Sequence, residues 1–337
     1  MAPTKKEYTF RKILEQSNQF LNFLRKHGAV PNDIIFSQVP LLPENWLCYI
    51  VAMKGGYCLV PAATALTVHD IIYRFEKVMP KIVLADLNNA EKIEHAEDAI
   101  GRNIPLKMLT GGARPGWISM KEICDESAEA EAAETHPDDP LFLFFTSGNT
   151  GMPKIVTHTH FSYPVGHLTT AAWIGLKQGD IHYNISQPDW AKFAWSCIFA
   201  PWIMGATVFV HNFEGRFNAH EHLSLIKKYK VTTLCCPPTV LRLFIQENLQ
   251  RYRLSLKECV SAGEPLNRQI VDTWMKGTGL VIRDGYGQTE STCMVGNLPG
   301  SQSKYGSMGK PTFLYDMVIA DDDGNILPDT EEGALAV

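Results

Sequence analysis

Short apolar segments alternate with segments of helical period along most of this sequence, and that rhythm limits the fold more than any other feature. In the first half, the strand-like runs "IIFSQV", "CLVPA" and "KIVLAD" are separated by stretches whose apolar residues recur with helical spacing. In the second half, the candidate strands are "LFLFFT", "IHYNIS", "ATVFVH", "VTTLCC", "ECVSAG" and "VIRDGYG". Strands joined through helices usually pair in parallel. The pattern therefore predicts an α/β fold with mainly parallel sheets covered by helices.

The rhythm is interrupted twice, which predicts three subdomains. Residues 126–139, "ESAEAEAAETHPDD", are acidic and alanine-rich and have no hydrophobic face, so we expect a solvated connection between two lobes. This gives a first α/β subdomain over residues 1–140 and a second over residues 141–305. From Gly306 onward, "MVIADDDGNILPDTEEGALAV" predicts a hairpin around an Asp-Gly-Asn turn, with the chain stopping on the second strand. A terminus within a strand suggests a fragment.

Composition and charge exclude several classes of function. The 337 residues are 45% hydrophobic and 20% charged, which is typical of a globular protein with a large core. A net charge of −5 and the lack of a long lysine or arginine run predict no binding to nucleic acid or anionic membrane. The longest uncharged run, Phe193 to Val210, is broken by Pro201 and Gly205, so we expect no membrane insertion.

The cysteines and the N-terminus indicate a compartment. The eight cysteines contain no C-x-x-C pair and mostly lie in apolar segments, which predicts buried, reduced thiols. The first ten residues, "MAPTKKEYTF", contain no apolar signal core. We therefore expect a cytoplasmic protein, with a mitochondrial or peroxisomal location left open because native termini could be missing.

A loop rich in glycine and hydroxyl groups follows the strand "LFLFFT". In "TSGNTGMPK", Thr146, Ser147 and Thr150 supply hydroxyl groups, and Lys154 supplies a cation. Glycines let backbone N–H groups converge on an anion, so the loop is suited to a polyphosphate. Its spacing does not fit the Walker pattern. It is either a different phosphate loop or a Gly-rich surface turn.

Further motifs decide between these alternatives. The loop, "SAGEPL" at 261–266 and "DGYGQTE" at 284–290 stand in the order and spacing of the AMP-forming acyl- and aryl-CoA synthetases, which the sequence closely resembles. "MKGGYCLVPAA" and "GSMGKP" also fall in family order, and "PWIMGATVFVH" is similar to the medium-chain and aryl branch. The resemblance covers about Tyr8 to Val337. It implies the large N-terminal domain of that fold, including the start of a small β-barrel at 306–337, without the small C-terminal domain.

The resemblance implies an activity and its cofactors. These enzymes use ATP to convert a carboxylic acid to an acyl-adenylate, releasing pyrophosphate, and then transfer the acyl group to the thiol of CoA. Their adenylation lysine lies in the C-terminal domain, so this chain alone is expected to be poorly active.

The resemblance also implies roles for particular residues. Lys154, Thr289 and Glu290 would be catalytic, with Thr289 on the α-phosphate and Glu290 as a ligand of Mg²⁺. Gly263, Glu264 and Pro265 would line one side of the adenine, Tyr286 would stack on the other, and Asp284 would lie near the base edge. The nucleotide-binding set as a whole is Thr146, Ser147, Gly148, Asn149, Thr150, Gly151, Met152, Pro153, Lys154, Gly263, Glu264, Pro265, Asp284, Gly285, Tyr286, Gly287, Gln288 and Thr289.

The acid pocket is less clearly marked. Trp190, within "SQPDWAKFAW", and Gly287 are the candidate substrate contacts. Many relatives that use aromatic acids carry histidine where this chain has Trp190, which puts the contacts of the acid in doubt. Asn149 stands where a hydroxyl residue is common, and its amide still donates a hydrogen bond. Two histidines in "HTH", His158 and His160, lack clear partners for zinc.

Two alternatives to a CoA ligase remain from the sequence. An adenylation domain could pass its acyl group to a carrier-protein thiol, or the chain could be a non-catalytic nucleotide-binding module. The partners expected in every enzymatic case are a small carboxylic acid, ATP and a thiol; the sequence leaves a homodimer open.

Overall fold

The computed structural model describes residues 5–146, 151–213, 215–328 and 330–337. The chain divides into two compact units. The first contains Met1–Ser162 and Gln187–Ala191, and the second contains Tyr163–Ser186 and Lys192–Val337.

The described part of the first unit is built on a seven-stranded sheet. Its elements are α1 (Phe10–Lys26), β1 (Ile34–Gln38), α2 (Pro43–Gly55), β2 (Cys58–Pro61), α3 (Val68–Lys77), β3 (Ile82–Asp86), α4 (Leu87–Ile100), β4 (Leu106–Thr110), β5 (Ile118–Ser119), a 3₁₀-helix (Met120–Asp125), β6 (Pro140–Thr146) and β7 (Lys154–Thr159). The strand order is β5-β4-β3-β1-β2-β6-β7. All neighbours are parallel except β6 and β7, which are antiparallel.

The second unit contains another seven-stranded sheet. Its elements are α5 (Ser162–Ile174), β8 (Ile181–Asn184), α6 (Ala191–Ala194), a π-helix (Trp195–Phe199), α7 (Ala200–Ile203), β9 (Thr207–Phe209), α8 (Ala219–Lys228), β10 (Thr233–Cys235), α9 (Pro238–Phe244), a 3₁₀-helix (Leu249–Arg251), β11 (Glu258–Ala262), α10 (Arg268–Thr278), β12 (Ile282–Gly287), β13 (Cys293–Gly296) and β14 (Lys310–Pro311). The order is β14-β13-β12-β11-β10-β8-β9. The strands from β12 to β9 are parallel, and β13 and β14 are antiparallel additions. The predicted α/β fold with mainly parallel sheets is confirmed.

Local sequence signals explain how the elements begin and end. Thr67 and Asp70 form a capping box at the start of α3, in which each side chain accepts a hydrogen bond from the backbone N–H of the other residue. The four residues Ile82 to Ala85 of β3 are fully buried in the centre of the sheet. A strand covered by helices on both faces needs a continuous apolar run, as "KIVLAD" provides.

Residues 126–139 do not connect two lobes, and this prediction was wrong. The strands on either side of the segment belong to the same sheet, and the first unit continues to Ser162 instead of ending at residue 140. The amide of Asn18 donates to Ala128 O (2.8 Å), and the N–H of Ala133 donates to Lys54 O (2.8 Å). Polar groups of α1 and α2 thus hold the segment, which explains how it packs without a hydrophobic face.

The last residues form a small antiparallel sheet, ordered β16-β15-β17, from β15 (Val318–Ala320), β16 (Ile326–Leu327) and β17 (Ala334–Ala336). The predicted hairpin of β15 and β16 is confirmed: Asp321 accepts the N–H of Asn325 (2.8 Å), and Gly324 has a left-handed φ of 83° in the turn. The chain ends after a third strand, not on the second, which corrects the prediction. A β-barrel over 306–337 stays a prediction.

Two further sequence predictions concern membranes and thiols. In the part of the chain that the structure describes, no helix is long and apolar enough to cross a membrane. The run from Phe193 to Val210 divides into short helices and β9, with Pro201 in the first turn of α7 and a left-handed Gly205 before the strand. All eight cysteines are free and seven are buried, as predicted.

Candidate active site

The phosphate loop lies between two antiparallel strands of the first unit. Thr146, the last residue of β6, is paired with Lys154, the first residue of β7. The register therefore brings the first hydroxyl and the cation of "TSGNTGMPK" to the same end of a two-stranded ribbon. Lys154 is exposed and forms no ion pair with any residue that the structure describes. A free ammonium group at this position is suited to an anionic ligand.

One turn and one hydrogen bond define the described end of the loop, residues 151–153. Gly151 has a φ of 88°, which a side chain rarely permits. The hydroxyl of Tyr73, on α3, donates to Pro153 O (2.8 Å), while the side chain of Met152 is exposed. The predicted contacts Ser147, Gly148, Asn149 and Thr150 lie outside the described residues.

The two downstream motifs meet at one edge of the second sheet. In parallel register, Ser261 faces Asp284 and Ala262 faces Gly285, so "GEP" and "YGQTE" both continue from the carboxyl ends of adjacent strands. Ligands of open α/β sheets bind at this edge. Gly263 turns the chain away from β11 with a φ of 101°. The structure thus brings two of the three predicted motifs together within one unit.

Glu264 and Tyr286 occupy this edge with different restraints. The carboxylate of Glu264 accepts a hydrogen bond from Nη2 of Arg242 (2.8 Å), which fixes its direction. Pro265 follows directly. Tyr286 is half-buried and lies two residues after Asp284 on β12, so both side chains project to the same face of the strand.

Asp284 carries a perturbed carboxyl group. Burial raises its pKa to about 6, whereas a hydrogen bond from the N–H of Gly285 (2.9 Å) and the nearby ammonium of Lys192 act in the opposite direction. Its backbone oxygen accepts hydrogen bonds from Trp173 Nε1 (3.2 Å) and from the N–H of Asn297 (3.0 Å). A perturbed carboxyl at the ligand-binding edge of a sheet is a feature of functional sites.

Lys192 is a site residue that the sequence analysis missed. Its ammonium group donates to Ala262 O (2.9 Å), at the carboxyl end of β11. The available signal was a lysine inside the otherwise apolar "AKFAWSCIFA", two residues after Trp190. The strand order, and not the sequence, shows that the Lys192 ammonium group lies at the carboxyl edge of the sheet, where "GEP" and "YGQTE" begin.

The glycines of "DGYGQTE" have packing roles. A Cβ on Gly285 would lie 2.5 Å from Trp173 Cε2, so a buried indole, not a ligand, accounts for this glycine. A Cβ on Gly287 would lie 2.0 Å from Thr292 O and 2.6 Å from Trp195 Cη2. Gly287 therefore packs directly against Trp195 of the π-helix. A small residue at this position is compatible with the lining of an acyl pocket.

The turn after β12 presents the predicted phosphate and metal ligands. The N–H of Gln288 donates to Ser291 Oγ (3.0 Å), and the N–H of Ser291 returns to Gln288 O (3.2 Å). Thr289 is half-buried in this turn. Glu290 is exposed and forms no ion pair with the described residues. Its carboxylate is available to a cation from outside the chain.

Glu290 fits a metal that is held mainly by its substrate. Across the described residues, no group of three or more His, Cys, Asp or Glu side chains could hold a metal ion by itself. Mg²⁺ is commonly bound through one or two carboxylates together with substrate phosphates, and a single exposed Glu290 suits that arrangement. His158 is buried on β7, and His160 lies just beyond its end.

Trp190 and Gly287, the two predicted acid contacts, fall in different units. Trp190 lies in a turn closed by its N–H and Gln187 O (3.1 Å), and half of its surface is exposed (50%). The neighbouring Trp195 is buried instead (5% exposed). A contact between Trp190 and the acid stays a prediction.

The chain belongs to the AMP-binding enzyme family, whose model matches residues 2–337. It is 42% identical over 317 residues to 4-hydroxybutyrate–CoA ligase 1 of Metallosphaera sedula, covering 94% of this chain and 55% of that protein. It is 37% identical to the human mitochondrial acyl-coenzyme A synthetase ACSM5, covering 98% of this chain and 58% of that protein. The chain thus spans a little over half the length of these curated relatives.

Solved structures of the same class share the fold. A Brucella canis acyl-CoA synthetase superposes with a TM-score of 0.91 at 27% identity, over 98% of this chain and 61% of that one. An anthranilate–CoA ligase in complex with anthranoyl-AMP gives 0.88 at 26% identity, over 98% and 64%. These neighbours agree with the resemblance found in the sequence motifs.

Proposed function

We propose that this chain forms the nucleotide- and acid-binding part of an AMP-forming carboxylate–CoA ligase. One observation carries the proposal: the adenine motif after β11 and the phosphate motif after β12 emerge side by side at the carboxyl edge of the second sheet. In the reaction, a carboxylate oxygen attacks the α-phosphorus of ATP and pyrophosphate leaves. The sulfur of CoA then attacks the acyl carbon, and AMP leaves.

The first step requires charge neutralisation, because both reactants are anions. Groups that are positioned before the reaction stabilise developing charge without reorganisation. Lys154 and the hydroxyl of Thr146, adjacent across β6 and β7, would hold the β- and γ-phosphates. Thr289 would donate to the α-phosphate. Glu290 would hold Mg²⁺, which adds positive charge where pyrophosphate departs.

Base recognition would come from the neighbouring strand. Gly263, Glu264 and Pro265 would cover one face of the adenine and Tyr286 the other. Glu264 also accepts a hydrogen bond from Arg242 at the exposed surface of this motif. Asp284 would lie near the base edge.

The acid would bind beside Gly287, whose neighbour Trp195 would close the pocket. Trp190 stays a predicted contact of the acid. The relatives' names include a 4-hydroxybutyrate ligase and acyl-coenzyme A synthetases, which supports a small or medium-chain acid and CoA as the thiol acceptor. The experiment below distinguishes CoA from a carrier-protein thiol as the acceptor of the acyl group. The compartment and a homodimer stay predictions.

Pyrophosphate exchange with a panel of acids tests the proposal. The protein at its natural length would be incubated with labelled pyrophosphate, Mg-ATP and short aliphatic, hydroxy and aromatic acids in turn. We expect ATP labelling that depends on at least one acid, and a CoA thioester when CoA is added. Absence of exchange with every acid would contradict the proposal. Exchange without any CoA thioester would point to a carrier-protein acceptor.

A further inference from the structure

One side chain outside the predicted site holds the far end of the "GQTE" turn. The turn ends at Thr292, which is almost fully buried (2% exposed) just before β13. The N–H of Thr292 donates to the hydroxyl oxygen of Tyr315 (2.9 Å), and the same hydroxyl lies 2.8 Å from Thr292 Oγ1. Tyr315 therefore contacts both the backbone and the side chain of a single residue.

The direction of these hydrogen bonds follows from the proton count. Thr292 Oγ1 donates its only proton to Gly166 O on α5 (2.7 Å). The neighbouring hydroxyl of Thr169, 3.3 Å from Thr292 Oγ1, donates its own proton to Gly166 O (2.8 Å). The proton between Tyr315 and Thr292 is therefore assigned to Tyr315, whose hydroxyl donates to Oγ1 and accepts from the N–H. The hydroxyl protons of Tyr315 and Thr292 are thus both placed in hydrogen bonds, the first to Thr292 Oγ1 and the second to Gly166 O.

Tyr315 is itself fixed to the sheet. Its N–H donates to Thr312 O (3.2 Å), and Thr312 is bound to β13 through its N–H to Met294 O (2.8 Å) and its hydroxyl to Cys293 O (2.8 Å). The tyrosine thus reaches Thr292 from a segment anchored on the strand that follows the turn.

Thr292 also lies between two closely approaching glycines. A Cβ on Gly166 would be 2.7 Å from Thr292 Cγ2, and one on Gly287 would be 2.0 Å from Thr292 O. The turn that carries Thr289 and Glu290 is therefore bounded by Gly287 at its start and by the Tyr315–Thr292 contact at its end.

We propose that Tyr315 is a positioning residue, whose hydroxyl fixes Thr292 and thereby holds Thr289 and Glu290 in the geometry that binds Mg-ATP. The inference rests on the proposed function for its catalytic consequence. The positioning itself is a property of the free protein. Losing the hydroxyl would free the N–H of Thr292 and loosen the turn without emptying the space filled by the ring.

The test compares Tyr315→Phe with Tyr305→Phe in the protein at its natural length. The control Tyr305→Phe also removes one hydroxyl contact, the one with Asp272, but this contact lies on an exposed surface of the same unit. Hydrogen exchange of the amides from 288 to 292, measured without substrates, should accelerate about tenfold in Tyr315→Phe only, as expected for the loss of one hydrogen bond. Thr292→Ser keeps the backbone N–H and the hydroxyl group that contact Tyr315, so its amides should exchange as slowly as those of the wild type.

The catalytic arm measures acid-dependent exchange against Mg-ATP concentration. We expect the KM for Mg-ATP to rise about tenfold, and the Mg²⁺ requirement to increase, in Tyr315→Phe but not in Tyr305→Phe. Unchanged amide exchange, or faster amide exchange with an unchanged KM, would overturn the positioning role. An inactive wild-type protein would instead contradict the proposed function, and the amide exchange would still test whether Tyr315 holds the turn.

Discussion

Asp284 shows how one buried carboxyl group links the site to pH. Its pKa of about 6 lies above the ordinary 3.8 because burial disfavours the charged form. The folded state therefore binds the proton more tightly than the unfolded state. This contribution to stability is fully present below about pH 3.8 and is lost as the pH rises to about 6.

The substitution Asp284→Asn should remove this loss of stability at higher pH. The amide oxygen can still accept the N–H of Gly285, and it carries no charge to desolvate. We expect the Tm of the variant to exceed that of the wild type by a few degrees above pH 6, with the difference shrinking toward pH 4. Calorimetric melting curves across this range provide the measurement. A difference that does not change with pH would show that the carboxyl is not responsible.

At the scale of the elements, β12 packs against α5 through a glycine. The Cα of Gly285 lies against Trp173, which is 1% exposed and also contacts Gly296 on β13. Gly285→Ala would place a methyl group 2.5 Å from the indole, so the helix or the tryptophan must move. We expect the free energy of unfolding to fall by about 1–3 kcal/mol, typical of an overpacked core.

Denaturant titration of Gly285→Ala checks this expectation. The matched comparison is Trp173→Phe, alone and combined with Gly285→Ala. The smaller ring makes room for the methyl group, so the double variant should lose less stability than the sum of the single variants. Strict additivity, or an unaffected Gly285→Ala, would mean that the indole does not account for the glycine.

The sequence pattern predicted the strands that contain a continuous apolar run, including the edge strand β9, and missed the edge strands β5 and β7. Runs such as "IVLA" within "KIVLAD" are recognisable because every residue is apolar and buried. Strand β7 begins with exposed Lys154 and Ile155 and has no continuous apolar run, so it is not among the predicted strands. Residues 126–139 are held by amide and backbone hydrogen bonds, which leave no hydrophobic period in the sequence.

At the scale of the whole molecule, the motifs predicted which segments carry the site, and the topology supplied the residues that support them. "GEP" and "YGQTE" are recognisable because their residue types, order and spacing match the motifs of the family. Lys192 and Tyr315 could not be predicted, because their roles depend on strand order and on a turn far along the chain. The division into units at Ser162 also depends on which strands pair.

The central claim is that adenylation by this protein requires both Lys154 and Glu290. The most direct measurement is acid-dependent pyrophosphate exchange in Lys154→Ala and Glu290→Ala, with the exposed Lys276→Ala and Glu76→Ala as matched controls. We expect kcat/KM to fall on the order of 10²-fold or more in each site variant, as for other groups that stabilise transition-state charge, with no change in Tm. The controls should keep wild-type exchange. Wild-type exchange in both site variants would contradict the account.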